Sequence, residues 1–508
     1  METNILEFFE NGAIKTHHDK VGFADLVDEL TFADIERHAK NIATRISSLS
    51  TETNCPIGVS LPKSAKTLVA DLGILYSGNF FMNLDDAAPA MRTKHILENI
   101  DPLFIITQQK QAGKLLDSGY PPARLLFIED LFIADAIYDN SLLLDRIASQ
   151  IDTDPVCIIN TSGSTGIPKS VALSHRGLID FINWWRRRFN FTEHEVVGSL
   201  SPFFFDGYIV GFLMTLLKGA RLEVLPTEHA TFPVKLVQYM AEKRVTFIFW
   251  VPSIMVTIAN FRIFETIPLP DLKTVCFAGE VLPTRHLNHW RTHLSQAEFI
   301  NLYGPIEISV ICTYYVVDRE FRDDEPLPIG YACCNTEILI LTDENQKAAQ
   351  NEQGEICVRG GSLAHGYWNN PDATARALVQ NPLNSHYPEL IYRTGDVGYR
   401  NERGEIMFVG RKDFQVKHMG IRFDLGEIEH FVLQIDGIDY ACVCYQSERK
   451  EIHLFFEANR LVAASEIREA LAIDLPKHMW PTHSHQIDSL PKNPTGKIDR
   501  NKLAGTLA

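Results

Sequence analysis

Zinc-binding cysteine patterns are absent from the sequence. The nine cysteines are scattered, and they include no C-x-x-C pair and no histidine-rich partner spacing, so no zinc site is predicted. Several of them, such as Cys157 and Cys442, lie in apolar runs and are interpreted as small core residues. An odd number of cysteines in a long chain is typical of a reducing cytosol, so we predict a cytoplasmic protein.

Long apolar runs and an excess of basic residues are also missing. No stretch of about 18 apolar residues occurs, so we expect no membrane insertion. The N-terminal residues have no basic region followed by an apolar stretch, so we expect no signal peptide. The formal net charge of the 508 residues is −16. Phosphates would repel such a chain, which argues against nucleic acid as a partner.

The middle of the chain alternates between strand and helix patterns. Short apolar runs predict strands at 156–160, 170–173, 221–225, 245–251, 274–278 and 298–302. Helical spacing predicts helices at 174–189, 208–217, 234–242 and 285–294, and Ser174 is a suitable N-cap for the first. This alternation with buried apolar strands is typical of parallel-type sheets that are covered by helices.

The later part of the chain has a different pattern. Glycine-punctuated segments at 355–358 and 405–409 predict the antiparallel strands of a β-rich subdomain. Beyond a charged break at 410–413 come strand patterns at 440–445 and 453–457 and a helix at 464–472. We therefore predict an α/β fold with a large N-terminal domain, residues 1–411, and a small mobile α+β C-terminal domain, residues 412–508.

Residues 161–169, TSGSTGIPK, form a loop rich in hydroxyls and glycine that ends in Lys169. Such a loop can direct backbone N–H groups, hydroxyls and an ammonium at a polyphosphate. Its spacing differs from the Walker A motif, because Gly163 and Gly166 are three residues apart and Lys169 follows a proline. A second lysine, Lys497, lies in a glycine turn near the end of the chain. Together they indicate a nucleotide-dependent enzyme that brings a lysine from a separate domain to a triphosphate site.

Five motifs occur in order along the chain: TSGSTGIPK at 161–169, NLYGPIE at 301–307, YRTGD at 392–396, GRKDFQVK at 410–417 and PTGKIDR at 494–500. In this order and spacing the chain resembles the adenylate-forming enzymes, which comprise acyl-CoA synthetases, luciferases and amino-acid adenylation domains. The resemblance covers nearly the whole chain. It implies an enzyme that joins a carboxylate to the α-phosphate of ATP, releases pyrophosphate and passes the acyl group to a thiol.

The resemblance also implies roles for individual residues. Glu307 would hold Mg²⁺, Lys169 would bind the phosphates, and Lys497 would bridge the carboxylate and the α-phosphate as charge redistributes there. Tyr303 would stack on adenine, and Asp396 would bind the ribose hydroxyls. The implied ATP-binding residues, among which Asn301 would bind the adenine amino group, are Thr161, Ser162, Gly163, Ser164, Thr165, Gly166, Lys169, Asn301, Leu302, Tyr303, Gly304, Asp396, Phe408, Arg411 and Lys497.

The C-terminal domain of such enzymes rotates between adenylation and thiol transfer. Asp413 matches the family's hinge position, and the thiol would enter between the domains near Gly420 and Arg422. One departure concerns Ile306, because the family usually has a threonine whose hydroxyl contacts the adenylate phosphate. Loss of one charge-assisted hydrogen bond is worth roughly 1.5–3 kcal/mol. A slower enzyme or a replacement donor is therefore expected.

Asp206 follows three consecutive phenylalanines in a predicted turn between a strand and a helix. A buried carboxylate is costly to ionise unless a cation meets it. In amino-acid-activating members of the family, an aspartate at this motif position pairs with the substrate ammonium. The alternative interpretation is that Asp206 caps the helix predicted at 208–217.

The resemblance implies a substrate pocket in which the positions other than Asp206 and Lys497 carry no charge. Its residues would be Phe205, Asp206, Gly207, Val210, Phe249, Cys276, Ala278, Leu302, Gly304, Val310, Ile311 and Lys497. Without other charges in its walls, the pocket favours a small apolar amino acid. The motifs are most similar to stand-alone ligases that load D-alanine onto a carrier protein, but that group has cysteine where this chain has Ala278. L-Proline and a β-amino acid remain open.

The acceptor is predicted to be the phosphopantetheine thiol of a separate carrier protein, as in nonribosomal peptide synthesis. The chain ends soon after Lys497, which leaves no room for a fused carrier domain. Because acidic residues outnumber basic ones, we expect little basic surface that could bind the 3′-phosphate of coenzyme A. The alternatives are an acyl- or aryl-CoA ligase and, outside enzymes, a degenerate adenylate-binding module.

Overall fold

The computed structural model describes residues 2–133, 138–161, 168–412, 415–491 and 498–507. The strands and helices predicted in the middle of the chain are confirmed within two residues at each end. The helix His175–Arg188, for example, begins after Ser174, whose hydroxyl accepts a hydrogen bond from the backbone N–H of Gly177. The predicted α/β fold class is also confirmed.

The largest sheet has nine strands. Its six central strands, from Glu298–Tyr303 to Val21–Ala24, pair in parallel. In spatial order the strands are Tyr331–Ala332, Thr313–Val316, Glu298–Tyr303, Thr274–Ala278, Phe247–Trp250, Val196–Ser199, Arg221–Val224, Val21–Ala24 and Glu29–Thr31.

A seven-stranded sheet lies beside it in the N-terminal part of the chain. Two pairs depart from the parallel pattern: Gly366–Tyr367 runs antiparallel to Lys169–Ser174, and Lys169–Ser174 runs antiparallel to Pro155–Thr161. The connection within the second pair is too short for the crossover that a parallel pair requires. In spatial order the strands are Gly366–Tyr367, Lys169–Ser174, Pro155–Thr161, Phe80–Asn83, Pro56–Ser60, Ile105–Thr107 and Leu125–Phe127.

Helices cover these two sheets, and a hydrophobic core that includes Phe23, Leu75, Trp185 and Ile300 extends between them. The longer helices are Phe32–Leu49, Ala65–Tyr76, Ala90–Ile100, Asn140–Ala148, His175–Arg188, Ile209–Lys218, Pro233–Glu242, Pro252–Asn260 and Thr284–His293. The shorter α-helices are Leu6–Phe8, Lys15–His17, Ala112–Asp117, Ile128–Leu131 and Pro371–Ala377. Among the described residues, no helix combines the length and the apolar character that a membrane crossing requires.

The predicted β-rich subdomain is an antiparallel sheet of five strands. These are Thr336–Leu341, Gly354–Gly360, Leu390–Arg400, Leu378–Gln380 and Ile406–Arg411. Its last two long strands bring Asp396 opposite Arg411 in register. The subdomain therefore brings the YRTGD motif beside Gly410 and Arg411 at the start of the GRKDFQVK motif.

The C-terminal part has its own core, in which Phe423, Ile428, Val443, Leu454 and Leu471 are buried together. Its elements are the hairpin strands Gln415–His418 and Ile421–Asp424, the helices Leu425–Val432, Ala464–Asp474 and Arg500–Ala504, and the sheet strands Ile438–Gln446, Glu451–Ala458 and His483–Gln486. This arrangement is consistent with a small α+β unit. The domain boundary between residues 411 and 412 stays a prediction, and the hinge residue Asp413 lies outside the described residues.

Candidate active site

A cavity of about 450 Å³ opens where the parallel strands of the nine-stranded sheet end. Phe249 is the next-to-last residue of its strand, Ala278 is the last residue of its own, and Gly304 directly follows the next strand. Because these strands are parallel, their carboxyl ends meet at one edge of the sheet, where ligands of open α/β sheets bind. The hairpin of residues 415–424 from the C-terminal part closes the opposite side of the cavity.

A close backbone approach shapes the wall beside Gly304. A Cβ atom at this position would lie 2.4 Å from the carbonyl oxygen of Val310 and 2.6 Å from Cα of Ile311. Val310 itself has a φ of 83°, which a β-branched residue rarely adopts. The NLYG turn therefore needs glycine at this point so that the segment with Val310 and Ile311 can form the cavity wall.

Asp206 lies at the apolar end of the cavity, beside Phe205 and Gly207. Burial raises the pKa of Asp206 to about 6, against the attraction of the Lys417 ammonium. The following helix begins at Ile209 with Tyr208 as its N-cap, so Asp206 does not occupy the capping position. The helix-cap interpretation of Asp206 is therefore wrong, and the carboxylate faces the cavity as a charge near neutral pH.

Most of the predicted substrate residues line this cavity, but three lie behind its wall. The lining includes Phe205, Asp206, Gly207, Phe249, Ala278, Gly304, Val310 and Ile311. Val210, Cys276 and Leu302 are almost fully buried in the hydrophobic core between the sheets. Ile306 lines the cavity and packs against the same core.

The predicted ribose and adenine residues meet around Asp396. One oxygen of its carboxylate accepts a hydrogen bond from the Tyr303 hydroxyl at 2.5 Å, and the other pairs with Arg411. The Tyr303 and Phe408 rings lie 6.4 Å apart between centroids. Asn301 donates its amide N–H to the carbonyl oxygen of Pro328, at 2.7 Å. The structure thus brings these five predicted nucleotide-binding residues to one place.

Glu307 is buried and is shared by the two parts of the chain. Its Oε1 accepts a hydrogen bond from the Tyr367 hydroxyl at 2.7 Å, and its Oε2 lies 3.1 Å from Arg422 Nη1. Burial opposes ionisation of this carboxyl, but the Arg422 charge and the Tyr367 hydrogen bond outweigh it, so the pKa of Glu307 lies below its ordinary value. An ionised carboxylate suits the oxygen preference of Mg²⁺. The ion would have to take the place of Arg422 at Oε2, because both are cations.

Lys169 lies close to this carboxylate. Its ammonium stands 5.3 Å from the centroid of the Tyr367 ring, and burial together with the nearby Arg422 charge lowers the pKa of Lys169. The Thr161 hydroxyl donates to the carbonyl oxygen of Lys169 at 3.3 Å. The other predicted phosphate-loop residues, Ser162, Gly163, Ser164, Thr165 and Gly166, lie outside the described residues, as does Lys497.

The hairpin of residues 415–424 contributes two cations to the cavity, Lys417 and Arg422. Burial lowers the pKa of Lys417, while the carboxylates of Asp396 and Asp206 oppose that shift. The hairpin tip is anchored to the N-terminal part, because the Gly420 N–H donates to Glu280 Oε1 at 2.9 Å. The hairpin therefore brings positive charge between the predicted ribose site and the predicted amino-acid site.

Two residues of this site were missed in the sequence. Tyr367 binds Glu307 and faces Lys169, yet a tyrosine outside the recognised motifs carries no signal of its own. Oε1 of Glu280 accepts a hydrogen bond from the Gly420 N–H, and Oε2 of Glu280 lies 3.2 Å from Lys450 Nζ. A glutamate in a short turn between strand and helix looks like an ordinary surface residue until the two parts of the chain are packed together.

Known proteins are similar to this chain in sequence and in fold over nearly its whole length. Tyrocidine synthase 2 from Brevibacillus parabrevis is 30% identical over 507 residues, which span 99% of this chain but only 14% of that synthase. The Vibrio cholerae adenylation domain AlmE, solved in complex with glycyl-adenosine-5′-phosphate, has a TM-score of 0.84 at 21% identity and covers 100% of this chain and 98% of its own.

A CoA synthetase is similar in fold to the same degree. The o-succinylbenzoate CoA synthetase MenE from Bacillus subtilis has a TM-score of 0.84 at 18% identity and covers 99% of this chain and 98% of its own. The family model described as "AMP-binding enzyme" matches residues 9–368. The resemblance to adenylate-forming enzymes is thereby confirmed, and the chain belongs to the AMP-binding enzyme family.

Proposed function

We propose that this chain is an ATP-dependent ligase that adenylates a small apolar amino acid and transfers it to the phosphopantetheine thiol of a separate carrier protein. The single observation that carries the proposal is the Asp206 carboxylate at the apolar end of the cavity. A carboxylate in such surroundings favours a ligand that brings its own positive charge. An α-ammonium group provides that charge, and a fatty or aryl acid does not.

The walls around Asp206 support a small side chain. Phe205, Phe249, Ala278 and Val310 line this end of the cavity, and none of them carries a charge. The side chain of an amino acid held at Asp206 would therefore meet apolar surface. D-Alanine and L-proline satisfy this condition, and a β-amino acid would place its ammonium one carbon further along.

The charged residues support adenylate formation. An amino-acid carboxylate and a triphosphate repel each other, so cations must neutralise both as the new bond forms. Lys169 and Mg²⁺ held by Glu307 would serve the phosphates, and Lys497 would serve the reacting carboxylate and the α-phosphate. Asp396, Arg411 and Tyr303 would hold the nucleoside.

Two relatives favour this substrate class. Tyrocidine synthase 2 is similar over nearly the whole of this chain, and the adenylation domain AlmE was solved with glycyl-adenosine-5′-phosphate. A second candidate function, acyl- or aryl-CoA ligation, is favoured by the equal similarity in fold to MenE. The two candidates differ in their need for Asp206 and in the thiol that accepts the product.

Replacing Asp206 by asparagine tests the proposal. The substitution keeps the shape but removes the charge, so kcat/KM for the amino acid should fall roughly 100- to 1,000-fold, while the KM for ATP stays within about twofold. Amino-acid-dependent exchange of pyrophosphate into ATP measures both. Asp180→Asn is the matched control, because burial also raises the pKa of Asp180 and this residue does not line the cavity.

The outcome separates the candidates. If the protein activates fatty or aryl acids but no amino acid, and Asp206→Asn leaves that activity unchanged, then the proposal is wrong and the CoA ligase is favoured. The acceptor is tested separately with a carrier protein in its phosphopantetheine form and with coenzyme A. Product that forms only with coenzyme A would contradict the carrier-protein assignment.

A further inference from the structure

A histidine cluster lies on the C-terminal sheet, away from the cavity. The strands Glu451–Ala458 and His483–Gln486 pair in parallel, and their register places His453 opposite His483. Side chains alternate along a strand, so Glu451 and His453 project from the same face. The rings of His453 and His483 lie 4.7 Å apart between centroids. Strand register, rather than proximity in sequence, brings these three residues together.

The three side chains present their ligand atoms to a common point. Oε2 of Glu451 lies 3.4 Å from Nε2 of His453 and 3.6 Å from Nε2 of His483. One ligand atom from each of the three residues lies within 4.8 Å of those of the other two. Ligand atoms bound at 2.0–2.1 Å in a tetrahedral zinc site are separated by about 3.4 Å. The observed spacing therefore fits a metal ion with little movement.

His453 is oriented for this role. It is only 6% exposed, and its buried Nε2 faces the Glu451 carboxylate at 3.4 Å without a hydrogen bond of good geometry. Its other ring nitrogen, Nδ1, lies 3.2 Å from Nε2 of His485. Metal-bound histidines usually have their second nitrogen held in this way, which fixes the ring orientation. A buried imidazole nitrogen that faces a carboxylate and lies beside a second imidazole is arranged as a metal ligand would be.

We propose that Glu451, His453 and His483 form a binding site for a divalent transition metal of the zinc class, with His485 as a positioning residue. Imidazole nitrogens favour Zn²⁺, Cu²⁺ and Ni²⁺, whereas Mg²⁺ and Ca²⁺ prefer sites made of oxygen ligands. The His483 side chain is 47% exposed, so the ion can enter from solvent and a water molecule can complete its coordination. This site is independent of the magnesium role assigned to Glu307.

The position of the site suggests what binding would do. His485 stacks on Phe455, with 4.7 Å between ring centroids, and Phe455 belongs to a hydrophobic cluster with Leu490 and Ile498. Leu490 and Ile498 flank the part of the chain that contains Lys497. An ion that links the two strands would thus stabilise the face of the sheet that Leu490 and Ile498 contact.

Titration of the untagged, chelator-treated protein with Zn²⁺ tests the proposal. One equivalent should bind, as measured by calorimetry, and the midpoint of thermal unfolding should rise by roughly 2–4 °C. Millimolar Mg²⁺ should not compete. His483→Gln and Glu451→Gln change partly exposed side chains, and each should lower the affinity for Zn²⁺ at least tenfold because a ligand is lost. His485→Gln removes no ligand and should lower the affinity by roughly 10-fold, because the His453 ring is no longer held in its orientation.

His430→Gln is the matched control, because His430 is exposed on the helix Leu425–Val432 of the same region. It should leave the affinity unchanged, which separates the site from the weak binding that other surface histidines give. Co²⁺ provides a second measurement, since its visible spectrum reports imidazole coordination in the folded protein. The proposal is overturned if the wild-type protein takes up no Zn²⁺, or if His483→Gln and Glu451→Gln bind it as the wild type does.

Discussion

The two ends of the cavity come from different parts of the chain and have opposite chemistry. At the end with Asp206, the wall includes apolar residues near the carboxyl ends of sheet strands, such as Phe249 and Ala278. At the other end, a hairpin more than a hundred residues further along supplies the cations Lys417 and Arg422.

This difference leads us to expect that the sheet wall selects the substrate, whereas the hairpin neutralises the charges of the reacting groups. A wall built on a packed sheet is rigid, so it is suited to select a substrate by shape and by one charge. A hairpin held by a few polar contacts, such as the Gly420–Glu280 hydrogen bond, can be withdrawn at smaller cost. We therefore expect variants of the C-terminal part to change individual reaction steps and leave substrate preference unchanged, and variants of the wall to do the reverse.

Lys497→Ala should have the largest effect. Loss of an ammonium that stabilises charge in the transition state should lower adenylate formation roughly 100- to 1,000-fold. Pyrophosphate exchange measures that step, and transfer from a chemically prepared aminoacyl adenylate should change much less. Lys502→Ala, at an exposed lysine nearby, is the control. An equal loss in adenylate formation and in transfer would contradict the expectation that variants of the C-terminal part change individual reaction steps.

Gly420→Ala should have the next largest effect, on transfer to the thiol. Gly420 has a φ of 81°, and a Cβ there would lie 2.3 Å from Cγ1 of Val251, so the hairpin tip could not reach its observed position without strain. Left-handed backbone and overpacking together cost about 2–4 kcal/mol, which corresponds to a roughly 30-fold or larger loss. Single-turnover transfer measures it, and adenylation should change little.

Gly404→Ala is the matched control for this variant. Gly404 has a φ of 75°, but an added Cβ meets nothing within 4 Å. An alanine at position 404 would carry the same backbone strain but would make no contact like the one that an alanine at position 420 makes with Val251. If both glycine variants slow transfer equally, the effect comes from general destabilisation and the docking of the hairpin is not involved.

The pH dependence of amino-acid binding should show the smallest effect. The pKa of Asp206 is raised to about 6 by burial, with Lys417, Glu307 and Arg422 as its charged neighbours. The carboxylate is ionised above this pKa and loses its charge as the pH falls through it. At pH 5 only about a tenth of it would be ionised, so the KM for the amino acid should rise about tenfold relative to pH 7.5. Asp206→Asn should abolish this dependence, and a dependence that persists in the variant would assign it to another group.

Local sequence patterns were sufficient for much of the fold and part of the site. Apolar runs marked the strands because each buried strand is short and bounded by turn residues, and Thr274–Ala278 was predicted without error. The motif around Asp396 predicted a nucleotide-binding residue, and two other residues predicted for that role, Arg411 and Tyr303, contact it in the structure. The antiparallel strand Lys169–Ser174 was not anticipated, because strand direction depends on the length of the connection rather than on the residues of the strand.

Other parts of the site had no local signal. The pairing of Glu307 with Arg422 and the position of Lys417 between two carboxylates depend on how the hairpin packs against the large domain. The His453 and His483 cluster depends on strand register, and cysteine and histidine spacing along the chain gave no prediction of it. Each of these contacts joins residues that are far apart in sequence.

The order of amino acids was enough to identify the family and the strands and helices, and to predict a set of nucleotide-binding residues, because periodicity and motif spacing are properties of short segments. It also located Asp206 in apolar surroundings. Which charges meet across the cavity, which pocket residues stand behind its wall, and where imidazoles converge were settled by packing, because contacts between distant segments form only when their backbones are held in one register.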